Sequence, residues 1–304
     1  MSYLSRLCPC CGSSRPQKLA VVSTVPAERL GYAELKPIWN GFFKEKSFFS
    51  YVRCPNCYTL YAPEFFTPEQ LGDLYGNMPA NMDVVPFDLL RSTQRGYFTI
   101  FKRYSTLTGG YVEIGADVGL FTENCVREGR FDHYWLFEPN HAVEPALHAT
   151  MGGASHEVIH EMFDLAAVPD AAASAVVMIH VLDHLLDPAA MLGQLRKKLA
   201  DGGVLLIVTH DESSLLRRLA GSKWPAFCLQ HPQIYSAVSM RALLRETGFK
   251  VLEISKTVNY FPLTFLWKHL LWACGLKVRR APSFGGLSVG LQLGNIITVA
   301  TNSR

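Results

Sequence analysis

The sequence predicts an α/β chain: a doubly wound, mostly parallel sheet with helices on both faces, preceded by a small zinc-ribbon-like module. Three observations predict it. Two C-x-x-C pairs stand in the first 60 residues, apolar runs alternate with helical periodicity from about residue 88, and "YVEIGADVGL" reads as a strand, a tight glycine turn and a helix. Regular alternation of strand and helix is the pattern of a parallel sheet covered on both faces. At 304 residues, with 49% hydrophobic and 18% charged residues, the chain is globular and has room for one large domain and a smaller module.

The module comes first. Cys8 and Cys11 in "CPCCG" and Cys54 and Cys57 in "RCPNCY" have the spacing of two zinc knuckles. Two thiolates two residues apart in a tight turn can face one ion, and two such turns complete a closed tetrahedral site of the structural kind. Cys10 is a neighbour that could substitute for Cys8, while Cys125, Cys228 and Cys274 stand alone and read as core. Between the pairs, "SFFSYVRC" alternates as a small β-ribbon would, and the module is expected to end near residue 65. A helical linker over 66–108 follows, entered at Thr67 with Pro68 in the first helical position.

In the large domain, residues 66–304, strands are expected at 110–114, 133–137, 156–160, 175–181, 203–209, 250–258 and 292–300. Helices are expected at 88–106, 120–128, 141–149, 188–200, 213–220 and 239–247, with Gly202-Gly203 stopping one of them. Ligands of such sheets bind beyond the carboxyl ends of the strands. The turn after the first strand is neither a dinucleotide fingerprint, since Asp117 and Leu120 replace two of its glycines, nor a P-loop. It suits a ligand with an amino-acid portion and a nucleoside: Gly115 admits close backbone approach, Gly119 closes the turn, and a helix N-terminus follows. Glu113, Glu138 and Asp164 fall in order at three strand ends, and a carboxylate such as Glu138 can take both hydroxyls of a ribose.

With "VEIGADVG", "FEPN", "HVLDHLLDP", "LADGGVLLIV", "QHPQIYS" and "LGNIITVA", the chain resembles the class I S-adenosylmethionine-dependent methyltransferases, in the subgroup with an N-terminal zinc module that modifies sugars, glycans or small metabolites. That resemblance implies a Rossmann-like seven-stranded sheet whose last strand is antiparallel. It also implies S-adenosylmethionine as cofactor, with Glu113, Gly115, Ala116 and Gly119 on the methionine side and Glu138 and Pro139 at the ribose. Phe163 and Asp164 would lie near the adenine, and His180 beside the cofactor. Asp117 departs from the family's central glycine.

Methyl transfer from a sulfonium needs no general acid, and a base only when the acceptor is a hydroxyl or an acidic carbon. His184 with Asp183, and His231, are the expected catalytic residues; His210 reads equally as a neighbour of the "DESSLL" helix start. A small-molecule, sugar or lipid-linked glycan acceptor is expected. The alternatives are a zinc-finger ribosomal RNA methyltransferase, against which the dispersed formal charge of +3 argues, and a non-catalytic cofactor-binding protein. With no apolar leader before Cys8 the expected location is cytoplasmic. Residues 261–276 form an apolar helical stripe followed by Lys277, Arg279 and Arg280, a C-terminal insertion that would serve as lid, dimer contact or peripheral membrane contact through 261–280.

Overall fold

A computed structural model describes residues 3–15, 18–39, 47–76, 85–161, 164–273 and 285–302. Seven strands build the central sheet: β1 (Thr108–Ile114), β2 (Arg130–Phe137), β3 (His156–Ile159), β4 (Ala173–Ile179), β5 (Leu199–His210), β6 (Phe249–Lys256) and β7 (Asn295–Asn302). Their order is β3-β2-β1-β4-β5-β7-β6. β1 to β5 are parallel, and β7 runs antiparallel between β5 and β6. The order reverses between β1 and β4, so a crevice opens at their carboxyl ends.

The central strands are apolar at nearly every position because both faces are covered. Val112, Ile114, Val176, Met178, Leu205 and Ile207 face one side, where they pack with α5 (Pro188–Lys198) and α7 (Ala237–Glu246). The alternate residues Tyr111, Ala175, Val177, Leu206 and Val208 face α2 (Phe87–Phe101), α3 (Thr122–Glu128) and α4 (Glu144–Met151). Each fully buried aliphatic side chain contributes about 1.5–3 kcal/mol.

Element ends follow local chemistry. Thr67 and Gln70 form a reciprocal cap at α1 (Pro68–Gly76), as the sequence predicts. Asp187 caps α5, with Pro188 at its first position. The helix predicted to end at 106 stops at Phe101, and Leu107 turns into β1 with φ +57°. β5 begins four residues earlier than predicted, at Leu199 opposite Ala173, and the register shifts before Val204 meets Ala175; Gly202 takes φ +72° within that irregularity. The short helix α6 (Leu215–Ala220) starts later than predicted because Ser214 caps it.

The N-terminal segment forms a four-stranded sheet in the order Gln233–Ile234, Leu60–Tyr61, Tyr51–Arg53, Leu19–Val21. One of its strands therefore comes from beyond β5, and the cysteines lie in the same core as Leu182, Leu185 and Tyr235. The predicted apolar helix is present as α8 (Leu263–Ala273), led in by a ribbon of Asn259–Pro262 with Ser288–Leu291. The basic residues 277, 279 and 280, like Cys274, lie outside the described residues. Among the described residues no helix is long and apolar enough to cross a membrane.

Candidate functional site

Two similar turns assemble the cysteines. Gly12 N–H donates to the Cys8 carbonyl at 2.9 Å and Tyr58 N–H to the Cys54 carbonyl at 3.0 Å. Each turn ends in a left-handed residue, Gly12 and Tyr58 both at φ 63°. Cys8 Sγ lies 3.4 Å from Cys57 Sγ, and Cys11 Sγ lies 3.6 Å from Cys54 Sγ. All four sulfurs fall within 4.8 Å of one another; Cys10 is buried beside them and outside that group of four. A tetrahedral zinc ion with bonds of about 2.3 Å sets its sulfurs about 3.8 Å apart, so the spacing and the donor set fit it.

At the carboxyl end of β1, Glu113 is buried and accepts hydrogen bonds from the hydroxyls of Tyr111, at 2.6 Å, and Thr122. Burial pushes its carboxyl up to about 7; the two hydroxyl donors oppose that rise, and the nearby Asp117 and Glu138 carboxylates add to it. Gly115 has φ +74°, and a Cβ there would come 2.5 Å from Val181 Cγ2, so glycine is required where the turn meets the end of β4. Gly119, at φ +78°, sits against Thr150 and Leu147. Asp117 itself has φ +48°, the left-handed conformation that glycine adopts freely and aspartate tolerates better than most residues. The aspartate thus preserves the turn.

Glu138 ties this turn to β2. Its Oε2 accepts Asp117 N–H at 2.8 Å and its Oε1 accepts Asn140 N–H at 2.9 Å. Each carboxylate oxygen keeps a further lone pair. Ala116 is buried under the turn and Pro139 is exposed beside it. Asp164 is exposed and accepts Ala166 N–H of its own loop, while Phe163 lies outside the described residues.

The segment beyond β4, the end of β5 and the loop before Gln233 gather four histidines, with Asn295 of β7 beside them. His180 takes φ +54°, and its Nε2 accepts from Asn295 Nδ2 at 3.3 Å. The proton is then on Nδ1, which is buried and meets no acceptor among the described residues. Burial pulls this imidazole down to about 3. Asp183, fully buried, pairs with His210 rather than with the adjacent His184: its Oδ2 lies 2.6 Å from His210 Nδ1 and also accepts His210 N–H at 3.3 Å. A carboxylate only accepts, so His210 Nδ1 carries the proton and Nε2 is the basic nitrogen. Burial works to raise the Asp183 carboxyl, but the hydrogen bond from His210 and the positive field of the surrounding histidines hold it well below the usual carboxylate range.

His184 Nδ1 shares a hydrogen bond of 3.0 Å with the Tyr75 hydroxyl. His231 donates Nδ1–H to the Ala226 carbonyl at 2.6 Å, and its ring lies 4.6 Å from that of His184 and 4.7 Å from that of His210. The expected residues Asp183, His184 and His231 are therefore brought together, with His210 placed among them. His210 does not cap the helix that follows; Ser214 does, behind a turn in which Asp211 accepts from Ser213. The sequence marks His210 as a residue that directly ends a strand; what it does not show is that this strand lies beside β4.

The cysteine module braces this wall. Tyr51 OH donates to the His231 carbonyl at 2.6 Å, Arg53 forms a bidentate pair with Glu212 at 2.6 and 2.9 Å, and Gln233 Nε2 donates to the Leu182 and Leu185 carbonyls.

A family profile described as "Methyltransferase domain" matches residues 90–254. Among solved structures, a protein of Pyrococcus horikoshii aligns with a TM-score of 0.51 at 13% identity, covering 76% of this chain and 99% of its own. A structure described under the conversion of a disulfide bond into a thioacetal group during echinomycin biosynthesis aligns at 0.50 and 14% identity, covering 78% and 93%. An S-adenosylmethionine-dependent methyltransferase from Thermotoga maritima is 17% identical, with a TM-score of 0.47, covering 71% and 92%. Likeness at these identities concerns the fold. Comparison with curated proteins gives no match.

Proposed function

The chain belongs to the methyltransferase-domain family, matched over more than half its length, and from that premise we propose that it transfers a methyl group from S-adenosylmethionine to a small-molecule, sugar or glycan-precursor acceptor. The observation that carries this reading is the paired use of Glu138 and Asp117 N–H, which sets a ribose-binding carboxylate against a glycine turn at the sheet's switch point. Glu113, Gly115, Ala116 and Gly119 would line the methionine portion, Glu138 and Pro139 the ribose, and Asp164 the adenine. His180 Nδ1–H would give its unmet hydrogen bond to the ligand. When bound, S-adenosylmethionine supplies an electrophilic methyl group.

On the acceptor side, His210 is the base this geometry supports best. Asp183 fixes its ring and tautomer, leaving Nε2 to take a proton from an acceptor hydroxyl or acidic carbon. His231, held by Ala226 and Tyr51, is the second imidazole of that wall, and His184 positions the loop through Tyr75. The four cysteines hold a structural zinc ion, and their role is to fix the strands that carry Tyr51 and Arg53. Should the acceptor be lipid-linked, α8 with the exposed Trp267 would face the bilayer surface.

The test is a cofactor-dependent methylation screen over nucleotide sugars, lipid-linked glycans and RNA, read by mass shift, with a calorimetric titration of S-adenosylmethionine beside it. Turnover confined to RNA would replace the acceptor class, and cofactor binding without any transfer would favour a binding protein. Absence of cofactor binding would overturn the reading.

A further inference from the structure

Behind Glu138, α4 with the segment leading into it and the end of β3 bring His141, His148 and His160 around one carboxylate, with His156 beside His148. Glu144, the first residue of α4, divides its oxygens between two imidazoles: Oε1 lies 3.4 Å from His148 Nε2 and Oε2 lies 3.4 Å from His160 Nε2. Both imidazoles have already committed the other nitrogen. His160 Nδ1 is 2.8 Å from the Glu138 carbonyl, which can only accept, so the proton is there. His156 Nδ1 is 2.8 Å from the Ala154 carbonyl, so His156 Nε2 is a lone pair, and His148 Nδ1, 2.7 Å from it, is the donor. A neutral imidazole carries one N–H. With both rings neutral, two Nε2 lone pairs aim at one carboxylate with no proton between them, an arrangement that a cation relieves.

The ring of His141 lies over that of His160 with centroids 3.7 Å apart, and one ligating atom from each of His141, Glu144 and His160 falls within 4.8 Å of the others. Two imidazoles and a carboxylate converging in this way form the donor set of a borderline divalent ion. The outer contacts match as well, since metal-bound histidines typically donate their second N–H to a backbone carbonyl, as His160 does to Glu138.

We propose that His141, Glu144 and His160 bind a divalent transition-metal ion of the zinc class, with His148 on the second carboxylate oxygen. The ion would join the end of β3 to the start of α4. It is a site distinct from the cysteine cluster, with no thiolate in it.

The experiment titrates the full chain with Co2+, then displaces it with Zn2+, near neutral pH. Nitrogen and oxygen ligands give weak visible bands, whereas the cysteine cluster gives intense thiolate charge transfer, so each site is read by itself. The expected result is a nitrogen and oxygen signal that saturates at one ion per chain. Its affinity should fall at least about tenfold in His160→Gln and in Glu144→Gln, the scale on which metal sites respond to lost partners. His133→Gln, outside the cluster, should leave it unchanged, and circular dichroism checks that each variant is folded. A wild-type chain without this signal, as expected if Glu144 were instead paired with two imidazoliums, overturns the proposal. So does a signal of unchanged affinity in both variants. Neither outcome depends on methyl transfer or on the cysteine site.

Discussion

Replacing Glu113 by glutamine should change how stability depends on pH by a calculable amount. The carboxyl is buried, and its value in the folded chain is about 7 against an ordinary 4.5. A raised value means that the native state holds a proton the unfolded chain has released. The associated stability is complete below about pH 4.5 and is lost as pH rises through about 7. Between pH 5 and pH 8 the linkage amounts to about 2.5 kcal/mol. Glutamine cannot titrate, and its carbonyl can still accept from Tyr111 and Thr122. The wild-type stability minus that of Glu113→Gln should therefore fall by about 2.5 kcal/mol from pH 5 to pH 8 in urea unfolding of cofactor-free protein. Curves that stay parallel to within about 0.5 kcal/mol, the scatter expected of independent sites, would refute the buried-acid assignment. The same argument makes cofactor binding release a proton near neutral pH, because the cationic ligand favours ionised Glu113. Calorimetric heats should then vary with the buffer's ionisation enthalpy in the wild type and not in the variant.

Asp117→Gly should leave the affinity for S-adenosylmethionine within about threefold, while Asp117→Val, forced to φ +48°, should lose about 1–2 kcal/mol in thermal unfolding. Asp183→Asn should lower kcat about 10²–10⁴-fold on the acceptor found by screening, whereas His184→Asn should cost less than about tenfold; equal losses would remove His210 as the base. Cys54→Ser should reduce bound zinc, lower the melting temperature and raise the acceptor KM more than the cofactor Kd. An unchanged acceptor KM in a zinc-depleted chain would contradict the bracing role of Tyr51 and Arg53.

The strands were legible because central parallel strands are continuous apolar runs, and Glu113, Gly115 and Glu138 followed once their ends were located. The C-x-x-C spacing pointed directly to the clustering of Cys8, Cys11, Cys54 and Cys57. What sequence hid were pairings made by register. β4 and β5 are neighbouring parallel strands whose last paired residues are Ile179 and Val208, so Asp183, in the turn just beyond β4, meets His210, the last residue of β5, although the adjacent His184 is nearer in the chain. His184 is instead taken by Tyr75 of α1. Asp117 looked like a defect in a glycine pattern because composition does not show φ; the left-handed backbone at that position is what the turn requires.

The pairing of Gln233–Ile234 with Leu60–Tyr61 has a consequence for how this chain can be cut and recombined. A fragment beginning at residue 66 would keep the whole cofactor turn, yet it would leave an unmatched edge at 233–234 and the His231 carbonyl without the Tyr51 hydroxyl. On the proposed function, substitutions at 51–61 would act on the histidine wall from behind, through Tyr51 and Arg53, without touching the turn at 113–119.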